Sequence, residues 1–215
     1  MVSVDKIEDT LKWLEKCYDN SKDTYIKESR IYSKMAVLEL SGWVEESMDG
    51  IILNLADKKL DSKNARRRLE KIILNVNGFT YEKHFLKMLR KSIGIINEES
   101  IKKQIYDRAD GTLNKFKTAL DKLYNKRNPL AHTFSQEQQQ RFDSPSQVRG
   151  YYNDICSGLK AFEEEIAKAY KGHKCVDLSE CKIVSDVQYE LRASEYGKVI
   201  NEYKVHLEFH KNCED

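Results

Sequence analysis

Two side chains in the stretch "YNKRNPLAHTF" (Tyr124 to Phe134) are of the types that work on a phosphodiester: Arg127, and His132 five positions on. Arginine offers a planar, permanently charged fork to phosphate oxygens. Histidine is the side chain best suited to moving a proton near neutral pH. Between them Asn128 is a good N-cap residue and Pro129 suits a first helical position, so the spacing predicts a helix starting at Pro129. Such a helix would point free N–H groups and its positive dipole end at an anion, and would lower the pKa of His132. The pair would then supply charge stabilisation at phosphorus and a proton shuttle for the ribose 2′-OH or the leaving oxygen. A plain helix start, with His132 as a capping or packing residue, accounts for the same spacing, because short motifs of this kind arise easily by chance.

The elements that must position these residues are mostly helical. Residues 4–19 carry Val4, Ile7, Leu11, Trp13, Leu14 and Cys17 at spacings that predict an amphipathic helix. Residues 24–56 form the longest candidate, with Val37, Leu40, Val44, Met48, Ile51 and Leu55 in one stripe. Gly42 inside it costs about 1 kcal/mol relative to alanine, which a close helix–helix approach would offset. Further helices are expected over 63–76, capped by Ser62 and ended by Gly78, and over 80–93, 98–107 and 111–125. The last of these turns Leu113, Phe116, Leu120 and Leu123 inward. After the polar loop "SQEQQQRFDSPS" a long helix over 146–171 carries Val148, Tyr152, Ile155, Leu159, Phe162, Ile166 and Tyr170 on one face.

Near residue 174 the period changes to two: Val187, Tyr189 and Leu191 alternate, as do Tyr203, Val205, Leu207 and Phe209, around a turn containing Gly197. The expected architecture is an all-α helical bundle over 1–172 with a small C-terminal β-hairpin appendage over 173–215. A lone hairpin is marginal in water, so it is expected to pack on the bundle or on a second subunit.

Composition excludes some function classes. With 37 basic and 35 acidic residues the net charge is +2, so no global field marks a protein that coats DNA, and any nucleic-acid contact has to be local. No apolar run reaches the roughly 20 residues of a membrane helix, and the N-terminus has no signal-peptide core. No membrane partner and a cytoplasmic location are expected. Five scattered cysteines suit free thiols in a reducing compartment. His173, Cys175, Cys181, His206, His210 and Cys213 are enough ligands for zinc, but the spacing is irregular and lacks a C-x2-C pair, so neither metal nor cofactor is expected.

The segment "KRNPLAH", set between runs of amphipathic helix, resembles the signature of HEPN domains (higher eukaryotes and prokaryotes nucleotide-binding). "AVLELSGWVEESMDGII" (Ala36 to Ile52) is similar to the long second helix of bacterial branches of that superfamily, the RiboL-PSP and MAE types. The resemblance covers about residues 24–171. It implies a metal-independent endoribonuclease of a toxin–antitoxin or antiviral defence system, in which two protomers bring their motifs into one composite cleft. Under that resemblance Arg127 neutralises the scissile phosphate, His132 is general acid or base, and Asn128 positions backbone or phosphate. The products are a 2′,3′-cyclic phosphate and a 5′-OH, and the partners are RNA, a second copy of the chain and an antitoxin or regulatory protein. HEPN toxins often carry a tyrosine two places after the histidine as an adenylylation target. Phe134 stands there in this chain.

Supporting candidates lie around the motif. Of Glu45, Glu46 and Asp49 on the long helix, Glu45 is chosen as the acidic partner, against a solvated helix face. Arg66 and Arg67 in the basic run 66–68, with Lys126, are candidates to follow an RNA backbone, although such runs are usually solvated. Tyr124 is a candidate to stack on a base, or else an interface or core residue. The alternative function is a non-catalytic HEPN scaffold that binds a nucleotide or a partner protein, or a plain helical interaction module.

Overall fold

A computed structural model of the chain describes residues 4–132, 142–171, 188–193 and 199–204. The chain divides into two compact units, 1–173 and 174–215. Within the first unit the described residues form helices α1 (Val4–Ser21), α2 (Ile26–Lys59) and α3 (Lys63–Leu74). A π-helical turn (Tyr81–Leu86) then runs directly into α4 (Lys87–Ile93), followed by α5 (Ile95–Tyr106), α6 (Thr112–His132) and α7 (Pro145–Ala169). In the second unit β1 (Gln188–Ala193) pairs antiparallel with β2 (Val199–Lys204), Gln188 opposite Lys204. The alternating residues Val187, Val205, Leu207 and Phe209 lie outside the described residues, as do Phe134, Gly197 and the histidines and cysteines from His173 onward. Among the described residues no helix is long and apolar enough to cross a membrane.

Periodicity explains most of the bundle. Leu40, Val44, Met48 and Ile51 of α2 are buried, with Leu55 partly so, and these pack against α1, α6 and α7. Leu113, Phe116, Leu120 and Leu123 of α6 face the buried stripe of α7, from Val148 to Ile166. At the centre Tyr81, Phe85, Phe116 and Phe162 pack edge to face, the Phe85 and Phe162 ring centroids 4.9 Å apart. Ser62 caps α3 by accepting from the Ala65 N–H, and Ser144 with Gln147 forms a capping box ahead of Pro145 at the start of α7. On α1, Ile7, Leu11 and Leu14 are buried, while Trp13 stays half-exposed with its ring edge-on to Tyr32.

Two glycines exchange roles relative to the sequence expectation. A Cβ on Gly42 would meet nothing within 4 Å, so among the described residues no other helix approaches it. The close approach is at Gly158 of α7, where a Cβ would collide with the Phe116 side chain. Only a residue without a side chain lets α6 and α7 come that near.

The largest correction concerns the motif itself. Helix α6 does not end at residue 125; it continues through Pro129 to His132. Asn128 is therefore interior to a helix and not an N-cap, and no new helix starts at Pro129. Leu130 explains the continuation: it is buried, and it extends the inward stripe of Leu113, Phe116, Leu120 and Leu123 by one more repeat. Burying a leucine contributes about 1.5–3 kcal/mol, of the same order as the proline penalty of about 3 kcal/mol in a helix interior.

Candidate functional site

Helix periodicity places Tyr124, Arg127 and Asn128 on one side of the C-terminal third of α6, three and four residues apart. There they line a cleft of about 320 Å³. Its other walls are Glu45 and Asp49 from α2, and the segment from Ile73 to Phe79 that leaves α3. Arg127 and Asn128 are half-buried. Arg127 has no ion-pair partner among the described residues. The other charged residues named near it behave differently. Lys126, the preceding residue, points away and holds Asp143 at 2.8 Å, and Asp143 also accepts the Tyr151 hydroxyl at 2.8 Å. Burial and that contact push the Tyr151 phenol up to about 12.

The structure thus brings Arg127, Asn128, Tyr124 and Glu45 to one cleft. Lys126 sits instead in a cation–carboxylate clamp at the foot of α7. Arg66 is committed to the α2–α3 corner, where it pairs with the Asp57 carboxylate at 2.9 Å and donates to the Leu60 and Asp57 carbonyls. Arg67 is exposed. His132 is the last residue of α6. On an ideal helix five residues separate two positions by about 140°, so positions 127 and 132 fall on different faces of α6. A helix C-terminus exposes carbonyl groups and favours cations. The expected backbone N–H cradle at Pro129 is therefore absent, and any phosphate held here depends on side-chain charge.

Electrostatics single out Asp49. Burial, reinforced by the like charges of Glu45 and Glu46, raises its carboxyl from 3.8 to about 6. It lies four residues after Glu45 on the same face of α2, so both carboxyl groups line the cleft. Tyr124 packs its ring edge against Phe79, centroids 5.8 Å apart at 77°, which orients the ring and limits its motion.

One wall of the cleft is a loop shaped by Gly78 and His84. Gly78 has φ +119°, a left-handed conformation reserved for glycine, and a Cβ there would lie 2.9 Å from two ring atoms of His84. His84 belongs to the π-helical turn, and its Nδ1 accepts the Thr80 backbone N–H at 3.0 Å. Burial and the nearby Lys87 and Lys83 hold this imidazole below its ordinary pKa of 6.5. Among the described residues no group of three or more His, Cys, Asp or Glu is placed to hold a metal ion.

No family model, no curated protein and no solved structure matches this chain.

Proposed function

We propose that this helical bundle belongs to the class of proteins that use an arginine-centred cleft to hold a phosphodiester. Within that class the resemblance of "KRNPLAH" selects a HEPN-like, metal-independent endoribonuclease of a toxin–antitoxin or defence system. The observation that carries the reading is Arg127: half-buried, without an ion-pair partner among the described residues, in a cleft shared with Tyr124, Asn128, Glu45 and Asp49. A half-buried arginine lacking a carboxylate partner costs stability, which a ligand anion offsets on binding.

In this mechanism Arg127 neutralises the scissile phosphate and Asn128 orients it. His132, at the end of the same helix, transfers the proton of the 2′-OH or of the leaving oxygen. Tyr124 stacks on a flanking base. Asp49, titrating near 6, is a second group able to exchange a proton near neutral pH. The different faces of α6 taken by positions 127 and 132 suit a composite site in which a second copy completes the arrangement, so a homodimer is part of the proposal.

The test is incubation of single-stranded RNA with the protein in EDTA, comparing wild type, Arg127→Ala and His132→Ala. The proposal expects 2′,3′-cyclic phosphate ends from wild type and a loss of at least about 100-fold in each variant. RNA left intact by a folded wild type, but bound with an affinity that depends on Arg127, favours the non-catalytic scaffold.

A further inference from the structure

We infer that His84 is a positioning residue for the Arg127 cleft: its imidazole accepts the Thr80 N–H, abuts Gly78, and so fixes the loop that forms one wall. This rests on the reading of the cleft as the functional site. The geometry begins with the turn. The Thr80 carbonyl accepts from the N–H groups of both His84 and Phe85 at 3.2 Å, so the turn holds one residue more than an α-helical one. In a capping box the third helical residue reaches back to the N-cap N–H. Here Thr80 is the N-cap, and the extra residue hands that task to the fourth, His84.

The contact fixes a chemical form. A backbone N–H can only donate, so Nδ1 presents its lone pair and a neutral ring carries its proton on Nε2. The Thr80 hydroxyl lies 2.7 Å from the same Nδ1. On the loop side a Cβ at Gly78 would lie 2.9 Å from two ring atoms, so another residue there would force the ring to shift, and its φ of +119° would strain one independently. Val76 and Phe79 anchor the loop in the core, which leaves Asn77 and Gly78 on the cleft wall. The charged groups beside the ring are Lys87 on α4 and Lys83 on its own turn. Thr80 and Gly78 contribute no charge, and both cations favour the neutral, accepting ring.

The inference is tested in the full-length protein with His84→Ala, His84→Asn and Gly78→Ala, reading RNA cleavage and hydrogen exchange of the Thr80 amide. His84→Ala and Gly78→Ala should raise KM by about tenfold, leaving kcat within about threefold, with Thr80 exchange accelerated by about tenfold or more. His84→Asn keeps an acceptor for the Thr80 N–H and should restore both to within about threefold of wild type. Unchanged KM and exchange in His84→Ala, or an asparagine variant as impaired as alanine, overturns the inference. Should Arg127→Ala cleave like wild type, the nuclease reading falls and Thr80 exchange alone decides the role of His84. Imidazole nitrogen NMR of wild type needs no variant. It should show an unprotonated Nδ1 at pH 7.5, with Thr80 protection lost as pH falls through the imidazole pKa below 6.5, and a protonated Nδ1 at pH 7.5 contradicts it.

Discussion

Helix α6 has two unlike halves. Its first half is committed to the core: Phe116 meets Phe85, Phe162 and Tyr81 edge to face or tilted, and Gly158 of α7 sits against its ring. Its last third turns Tyr124, Arg127 and Asn128 into a cleft where a guanidinium has no ion-pair partner among the described residues and a carboxyl titrates near 6. One part is packed around apolar rings, and the other lines a cleft with polar and charged groups. The difference separates what holds the protein together from what is available for chemistry.

Substitutions should divide along that line. Phe162→Ala removes a fully buried ring from the aromatic cluster and is expected to destabilise by about 3–5 kcal/mol in chemical denaturation. A loss under about 1 kcal/mol would mean that the cluster collapses around the gap. Gly158→Ala should follow at about 1–3 kcal/mol, because the new Cβ forces Phe116 or the α6–α7 spacing to shift.

Asp49→Asn acts in the cleft and in the opposite sense. The folded carboxyl titrates near 6, above its ordinary 3.8, so its contribution to stability is complete below about pH 4 and is lost as pH rises through 6. Asparagine should therefore stabilise by about 1 kcal/mol at pH 7.5, after discounting for solvent screening, and by less at pH 5. A pH-independent effect would remove Asp49 from the titrating groups. Smallest in effect, Gly42→Ala should raise stability by about 0.5–1 kcal/mol in thermal melts, since nothing meets the added methyl. A loss at that position would reveal a neighbour outside the described residues.

The sequence made the packed half of this comparison readable and the cleft only in part. The stripes of α2 and α7 repeat at three and four, and burial follows them residue by residue from Leu40 to Ile51 and from Val148 to Ile166. Tyr124, Arg127, Asn128 and Glu45 could be named because their types and spacing are local properties. The expected helix start at Pro129 failed because Asn-Pro is a local signal, while Leu130 is held by distant partners in the core. Gly42 and Gly158 look alike in sequence, and only the position of Phe116 distinguishes them. His84 was not noticed because its role depends on the extra residue of a π-helical turn, which a 3.6-residue period does not reveal.

The most direct measurement is a paired one on Arg127→Ala: the rate of RNA cleavage in EDTA and the thermal midpoint of the same sample. An arginine without an ion-pair partner among the described residues, kept for a phosphate, predicts cleavage reduced by at least about 100-fold, with stability unchanged or slightly raised, within about 0.5 kcal/mol. Wild-type cleavage by the variant, or a loss of activity matched by several kcal/mol of lost stability, would place Arg127 in the scaffold and contradict the division of α6 drawn above.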